Sequence, residues 1–228
     1  MLSANLGTIR ILATGGNNSK TSYFGSTQLF SYSYLTLKVT QRGYILSEAD
    51  PIENFYSLRQ NLNSFSLACY FAEVCSFISV PNDNMPLRIL LNCLYAQTKK
   101  LFDDDKIKAV FELKTALEAG FYPNLSECAV CGSKKSELAL ALSITDGGVL
   151  CDVCKENAEK VGASLIPLNR SVLAALVFIR DVDPKKMFSF ELDENDMLLL
   201  SNISEKYLMF HLDKEMPSLE FYKRMKVI

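Results

Sequence analysis

Two Cys-x-x-Cys pairs, Cys128/Cys131 and Cys151/Cys154, stand in the stretch ECAVCGSKKSELALALSITDGGVLCDVCKE with nineteen residues between the inner cysteines. Each pair bends the backbone so that two thiolates converge, and two pairs at this separation complete a tetrahedron for zinc. Two disulfides, or a redox Cys-x-x-Cys, are the competing uses of such thiols. A thioredoxin-type site takes one motif beside a parallel-sheet pattern, which is missing, and a reducing compartment disfavours disulfides. Four cysteine ligands leave no open position for water or substrate, so the expected cofactor is a structural Zn²⁺. Between the pairs, Leu138, Leu140, Leu142 and Ile144 alternate with small or polar residues, and Asp146 to Gly148 spell a tight turn. Strand, turn and second knuckle predict a zinc-ribbon-like hairpin.

Other candidate chemistry is thin. His211 is the one histidine and has no partner for a triad in its sequence neighbourhood, which fits a plain helical histidine. ATGGNNSKTS resembles a phosphate-binding loop through Lys20 and Thr21, but Thr14 and Ser19 stand where a Walker loop needs glycine. The residues that follow read as strand and not as the helix such a loop must open. A nucleotide-hydrolysing reading is therefore disfavoured, no catalytic residue is assigned, and the chain does not read as an enzyme. Asp103, Asp104 and Asp105 read as the start of a helix and not as a cation site.

The chain has 228 residues, 49% hydrophobic and 22% charged, with a formal charge of -2. That composition makes a folded protein of about two domains, without a field that would draw it to nucleic acid or to an anionic membrane. No apolar run reaches the roughly 20 residues that cross a bilayer, and no secretory signal is recognisable, so a cytoplasmic location is expected. Cys69, Cys75 and Cys93 lie among apolar residues at helical spacing and are expected in the core.

Period 2 dominates the first fifty residues, with strands expected at 8–14, 28–40 and 43–49 around the breaker GGNNSKTSYFGS. At Pro51 the period becomes helical: Ile52, Phe55, Leu58 and Leu62 share a face, behind Asp50 as a cap. Further helices are expected at 65–78, 87–102, 107–119, 169–180 and 194–213, and PSLEFYKRMKVI is basic and poorly patterned. The expected organisation is a β-rich domain at 1–50 and an α-helical domain at 51–228 that holds the zinc module at 125–158.

LGTIRILATGG, SKT, STQLFSYSYLTL, YILSEADPIENFYSLR, ALEAGFYPNLSECAVCG and DGGVLCDVC occur in this order over nearly the whole chain. In these motifs, GFYPNLSECAVCG above all, the chain resembles the bacterial recombination mediator family RecO. The resemblance implies an α+β protein, an N-terminal OB-fold-like β-barrel followed by an α-helical domain with a zinc-ribbon-like module of four cysteines. It implies a DNA repair mediator that binds single- and double-stranded DNA and anneals complementary strands. With RecR, such a mediator assists RecA loading onto DNA coated by single-strand DNA-binding protein, whose C-terminal tail it contacts, in the cytoplasm at the nucleoid.

Two features depart from the family pattern. An OB-fold has five strands, and only three are expected before Pro51, so the barrel is expected to lack its first strands. The family's loop after the strand is rich in Arg and Lys, resembling AKGARRPKS, whereas ATGGNNSKT has Thr14, Asn17 and Asn18 at basic positions and keeps Lys20. The DNA contacts implied are then Arg10, Lys20 and Arg42, with Tyr23 and Phe24 as stacking aromatics. The alternative is a zinc-stabilised protein-interaction scaffold with little intrinsic DNA binding.

Overall fold

A computed structural model describes the chain except for residues 17, 135–137 and 227–228 and the side chains of residues 138–140. Asn17, and the Leu138 and Leu140 side chains of the expected alternation, lie outside the described residues. The chain divides into two compact units, Met1–Leu101 with Met216–Ile228, and Phe102–Glu215. The architecture is α+β: small N-terminal sheets, then a helical region that carries the four-cysteine cluster, and among the described residues no closed barrel.

In the first unit the strand expected at 8–14 is split. β1 (Leu2–Ser3) pairs antiparallel with β2 (Gly7–Thr8), while β3 (Ile11–Leu12) runs parallel to β5 (Gly43–Asn54). β4 (Ser31–Thr40) pairs antiparallel with β5, which gives the sheet order β3-β5-β4. Its alternating sequence turns Leu35 and Leu37 to one side and Tyr34, Thr36 and Lys38 to solvent on the other.

The helical reading of residues 51–60 is corrected, because β5 continues through Pro51 to Asn54. β3 pairs with Tyr44 and Ile45, so at Pro51 the strand has β4 on one side and, among the described residues, no strand on the other. The register also steps there, from Tyr32 opposite Glu53 to Ser33 opposite Pro51, leaving Ile52 as an extra residue. An edge with a bulge is where a strand accepts a residue that has no N–H. The spacing of Phe55 and Leu58 reflects their burial around a 3-10 turn (Tyr56–Gln60), and the helix waits for Asn61, whose Oδ1 accepts from Ser64 N at 3.0 Å.

α1 (Leu62–Ile78) and α2 (Met85–Thr98) follow, with Cys75 and Cys93 fully buried and Cys69 half-buried, as the apolar spacing predicts. Burial pushes the thiols of Cys75 and Cys93 up and keeps them neutral. The segment read as poorly patterned forms α7 (Pro217–Lys226), which packs on α1. Its signals are short but present: Pro at the start, Glu220 in the first turn, and Lys223 and Arg224 in the last. Leu219 and Tyr222 are its buried face, and Ser218 N donates to Glu73 Oε2 at 3.2 Å.

The second unit is built on α3 (Asp104–Glu118), buried on nearly every side and packed against α5 (Arg170–Asp181) and α6 (Glu194–Leu212). Its buried charges are paired inside, while the Thr115 hydroxyl is buried without a hydrogen-bond partner among the described residues. Lys108 Nζ stands 2.8 Å from both Glu112 Oε1 and Glu205 Oε2, and Ser204 Oγ donates to Glu112 Oε2 at 2.7 Å. His211 on α6 is set among the rings of Phe121, Tyr207 and Phe210, and burial lowers its pKa, as for a histidine packed in the body and kept neutral.

Candidate metal centre and nucleic-acid surface

The cysteine module belongs to the second unit. β6 (Leu138–Ser143) lies between β7 (Gly148–Cys151) and β8 (Leu165–Pro167), all antiparallel, and α4 (Asp152–Lys160) starts directly after β7. The hairpin turn works through its two glycines. Gly147 has a φ of +75°, a conformation that L side chains avoid. At Gly148 a Cβ would stand 2.5 Å from the carbonyl oxygen of Asn124, so only glycine fits. That close approach is functional packing: Asn124 N donates to Gly147 O and Val149 N donates to Asn124 O, both at 2.9 Å. Asn124 Oδ1 also accepts from Ser126 N at 3.1 Å, which turns the chain into the first knuckle.

The first knuckle is held by Gly132 N to Cys128 O and Ala129 N to Val149 O, both 2.9 Å, the latter fastening it to β7. The second knuckle is the junction of β7 and α4, with Cys151 closing the strand and Cys154 in the first helical turn. The four Sγ atoms consequently lie within 4.8 Å of one another, and Cys131 Sγ is 3.6 Å from Cys151 Sγ. Thiolates bound at about 2.3 Å around a tetrahedral ion stand roughly 3.8 Å apart, so the set can hold one metal ion. Leu150, Ala129, Ala158 and Leu165 pack against Cys128 and Cys151.

The electrostatics of the thiols agree with a cation site. The Ser133 hydroxyl, 3.0 Å from Cys131 Sγ, and the Ser133 backbone N–H pull the exposed Cys131 down to about 6. Sharing hydrogens with Cys151 and Cys131 pushes Cys154 up to about 12. Four clustered sulfurs cannot all ionise without a counter-charge, and a divalent cation removes that conflict by taking all four as thiolates. Zinc satisfies the donor set by ligand type and number.

The other candidate residues are dispersed over the first unit. Arg10, Lys20 and Arg42 are exposed, and among the described residues none of them makes an ion pair. The parallel pairing of Ile11 with Tyr44 sets Arg10 and Arg42 at one end of the sheet. Lys20 leaves from the loop beyond the other end of β3, so sheet register does not bring it to them. Tyr23 and Phe24 are half-buried, and the Tyr23 hydroxyl donates to Thr14 O, which folds it onto its own loop.

Among its described residues the GGNNSKT loop makes local turns. Asn18 N donates to Gly15 O at 2.8 Å, Lys20 N to Asn18 Oδ1 at 3.0 Å and Thr21 N to Asn18 O at 3.0 Å. Amides used this way do not converge on an anion, and the segment leads into a 3-10 turn (Gly25–Thr27) and not an α-helix. An open recess beside it is lined by Ala13, Gly15, Gly16, Asn18 and Thr27, without a cation.

A row of carboxylates on this surface escapes a residue-by-residue search for cations. On the solvent face of the β4–β5 ribbon, Glu53, Asp50 and Glu48 stand opposite Tyr32, Tyr34 and Thr36. Glu48 and Asp50 share a face at a spacing of two, which the sequence displays. Glu53 joins them only because the bulge at Ile52 shifts the register.

Comparison with known proteins gives this α+β chain with a four-thiol module a class. The family model for the C-terminal part of recombination protein O matches residues 59–220. The DNA repair protein RecO of Acetivibrio thermocellus is 29% identical over 99% of this chain and 88% of its own length. The DNA repair protein RecO of Caldicellulosiruptor saccharolyticus is 28% identical over 99% of this chain and 90% of its own. That of Listeria monocytogenes is 25% identical over 80% of this chain and 71% of its own. The chain belongs to the RecO family of DNA repair and recombination proteins, which are mediators and not enzymes. Among the described residues no helix is long and apolar enough to cross a membrane.

Proposed function

We propose that the chain is a recombination mediator that binds single- and double-stranded DNA through its N-terminal residues 1–50 and anneals complementary strands. With RecR it assists RecA loading onto DNA coated by single-strand DNA-binding protein, whose C-terminal tail it contacts, in the cytoplasm at the nucleoid. The observation that carries the reading is the family match over residues 59–220, extended to nearly full length by relatives that are DNA repair proteins. The N-terminal strands support it: the order β3-β5-β4 with β3 parallel to β5 suits part of an OB-fold-like, incomplete Greek-key barrel.

In this reading Arg10, Lys20 and Arg42 meet phosphate, and Tyr23 and Phe24 stack on bases. The helices that follow β5, from α1 onward, make up the helical part of the chain, with the zinc module at 125–158. Cys128, Cys131, Cys151 and Cys154 hold a structural Zn²⁺ whose closed shell fixes the two knuckles and does no chemistry. A strand-annealing assay with complementary labelled oligonucleotides tests the proposal. The expected result is annealing faster than the spontaneous reaction, and a rate equal to the spontaneous one refutes it.

The row Glu48, Asp50 and Glu53 favours a second reading, a zinc-stabilised scaffold for protein partners with little DNA binding of its own. A chain that binds RecR but does not retain DNA at low salt is the outcome that selects it.

A further inference from the structure

We propose that Tyr56 and Tyr95 form a further stacking platform for single-stranded DNA, at the start of the helices. The platform rests on the DNA-binding reading of the chain and extends it past residue 50. Tyr56 opens the 3-10 turn (Tyr56–Gln60) and is 57% accessible, and Tyr95 lies in the last turn of α2 and is 49% accessible. Each ring has a cation beside it: Arg59 Cζ stands 4.8 Å from the Tyr56 centroid, and Lys99 Nζ 5.8 Å from that of Tyr95. A ring with a cation over one face leaves the other to a base, which stacks there whatever the sequence.

Packing brings the two pairs to one end of the α1–α2 pair. Gln97 Nε2 donates to Ser64 O at 3.2 Å, so the end of α2 lies beside the first turn of α1, and α2 also packs on the 3-10 turn that leads into α1. The surroundings suit a polyanion. α2 contains no Asp or Glu, and the exposed Lys99 and Lys100 follow it. Among the described residues Arg59, Lys99 and Lys100 make no ion pair. Glu53, the carboxylate before the turn, accepts from Asn54 N at 3.0 Å, and Asp104 and Asp105 stand in the first turn of α3, where the helix dipole offsets their charge. Lys and Arg outnumber Asp and Glu over the whole first unit, the reverse of the second. The first residues of the chain dock at the other end of α1, where Thr8 Oγ1 donates to Ser76 O at 3.1 Å. The 17 residues of that helix span about 25 Å.

The chain has no Trp, so Tyr95→Trp gives the full chain a single indole reporter. Titration with oligo(dT) is expected to quench its emission, because a base stacks on the indole. Tyr56→Ala and Tyr95→Ala should each weaken oligo(dT) binding about tenfold, with unchanged melting. Binding of blunt duplex DNA, whose bases already stack on one another, should stay as in the wild type. Wild-type affinity for oligo(dT) in both alanine variants overturns the platform and leaves DNA binding through residues 1–50 in place. So does a reporter whose emission does not respond while oligo(dT) saturates the chain. Equal losses on single strand and duplex also overturn it, since stacking distinguishes the two. A wild-type chain that does not bind oligo(dT) at low salt overturns the platform and the DNA-binding reading together.

Discussion

The cysteine module and the N-terminal loop follow opposite plans. In the module, four functional groups converge within 4.8 Å because turns, a glycine pair and a helix start aim them at one point. In the first unit, Arg10, Lys20 and Arg42 are exposed and project from separate connections, and an acidic row shares their unit. A metal centre needs ångström convergence, whereas a contact with a polyanion sums individually weak attractions over an extended surface. The first plan is robust and closed, and the second is open to adjustment by single charges.

Mutations on the module side should have the largest effects. Cys151→Ser removes one of four ligands, and zinc measured on the purified protein should fall from about one per chain to a small fraction, with a lower melting temperature. A variant that keeps full zinc, or full stability without it, refutes the structural role. Acidification should act in the same direction: the ligands must be thiolates, so zinc is lost as falling pH returns protons to the cysteines, which a chromogenic chelator can follow. Gly148→Ala should cost about 1–3 kcal/mol in denaturant melts, because its Cβ must push the Asn124 carbonyl away from β7.

On the side of the loop the expected effects are smaller and concern binding. Glu48→Lys with Asp50→Lys should raise affinity for single-stranded DNA at low salt. At about 1 kcal/mol for a charge pair near 4 Å in water, each reversal changes the charge by two units and is worth about 2 kcal/mol, roughly thirtyfold, at most. An unchanged affinity would place the DNA path away from the ribbon face. Arg10→Ala with Arg42→Ala should weaken binding more than Lys20→Ala, since sheet register groups the two arginines. The reverse order in a binding titration would make the loop the dominant contact.

The same contrast explains what the sequence made legible. The knuckles and the turn at Gly147 and Gly148 are local, so spacing and glycine chemistry announce them. α1, α2, α3, α5 and α6 follow their apolar period to within a few residues of the expected ranges. Pro51 misleads because proline after Asp50 suits a helix start, and it is accepted in β5 by the bulge beside it and by having, among the described residues, a strand on one side alone. α4 and α7 are short, and α4 buries no residue fully while α7 buries Leu219 and Tyr222, too few to give a period, although Gly162 after α4 and Pro217 at the start of α7 mark their ends. The acidic row depends on pairing and a bulge, which no single strand encodes.

DNA binding by this sparsely basic chain is tested most directly by fluorescence anisotropy of labelled single-stranded DNA across a salt series. Three phosphate contacts, from Arg10, Lys20 and Arg42, predict binding at low salt that weakens with a log–log slope of about −2. No binding at low salt would contradict the mediator reading and leave the scaffold.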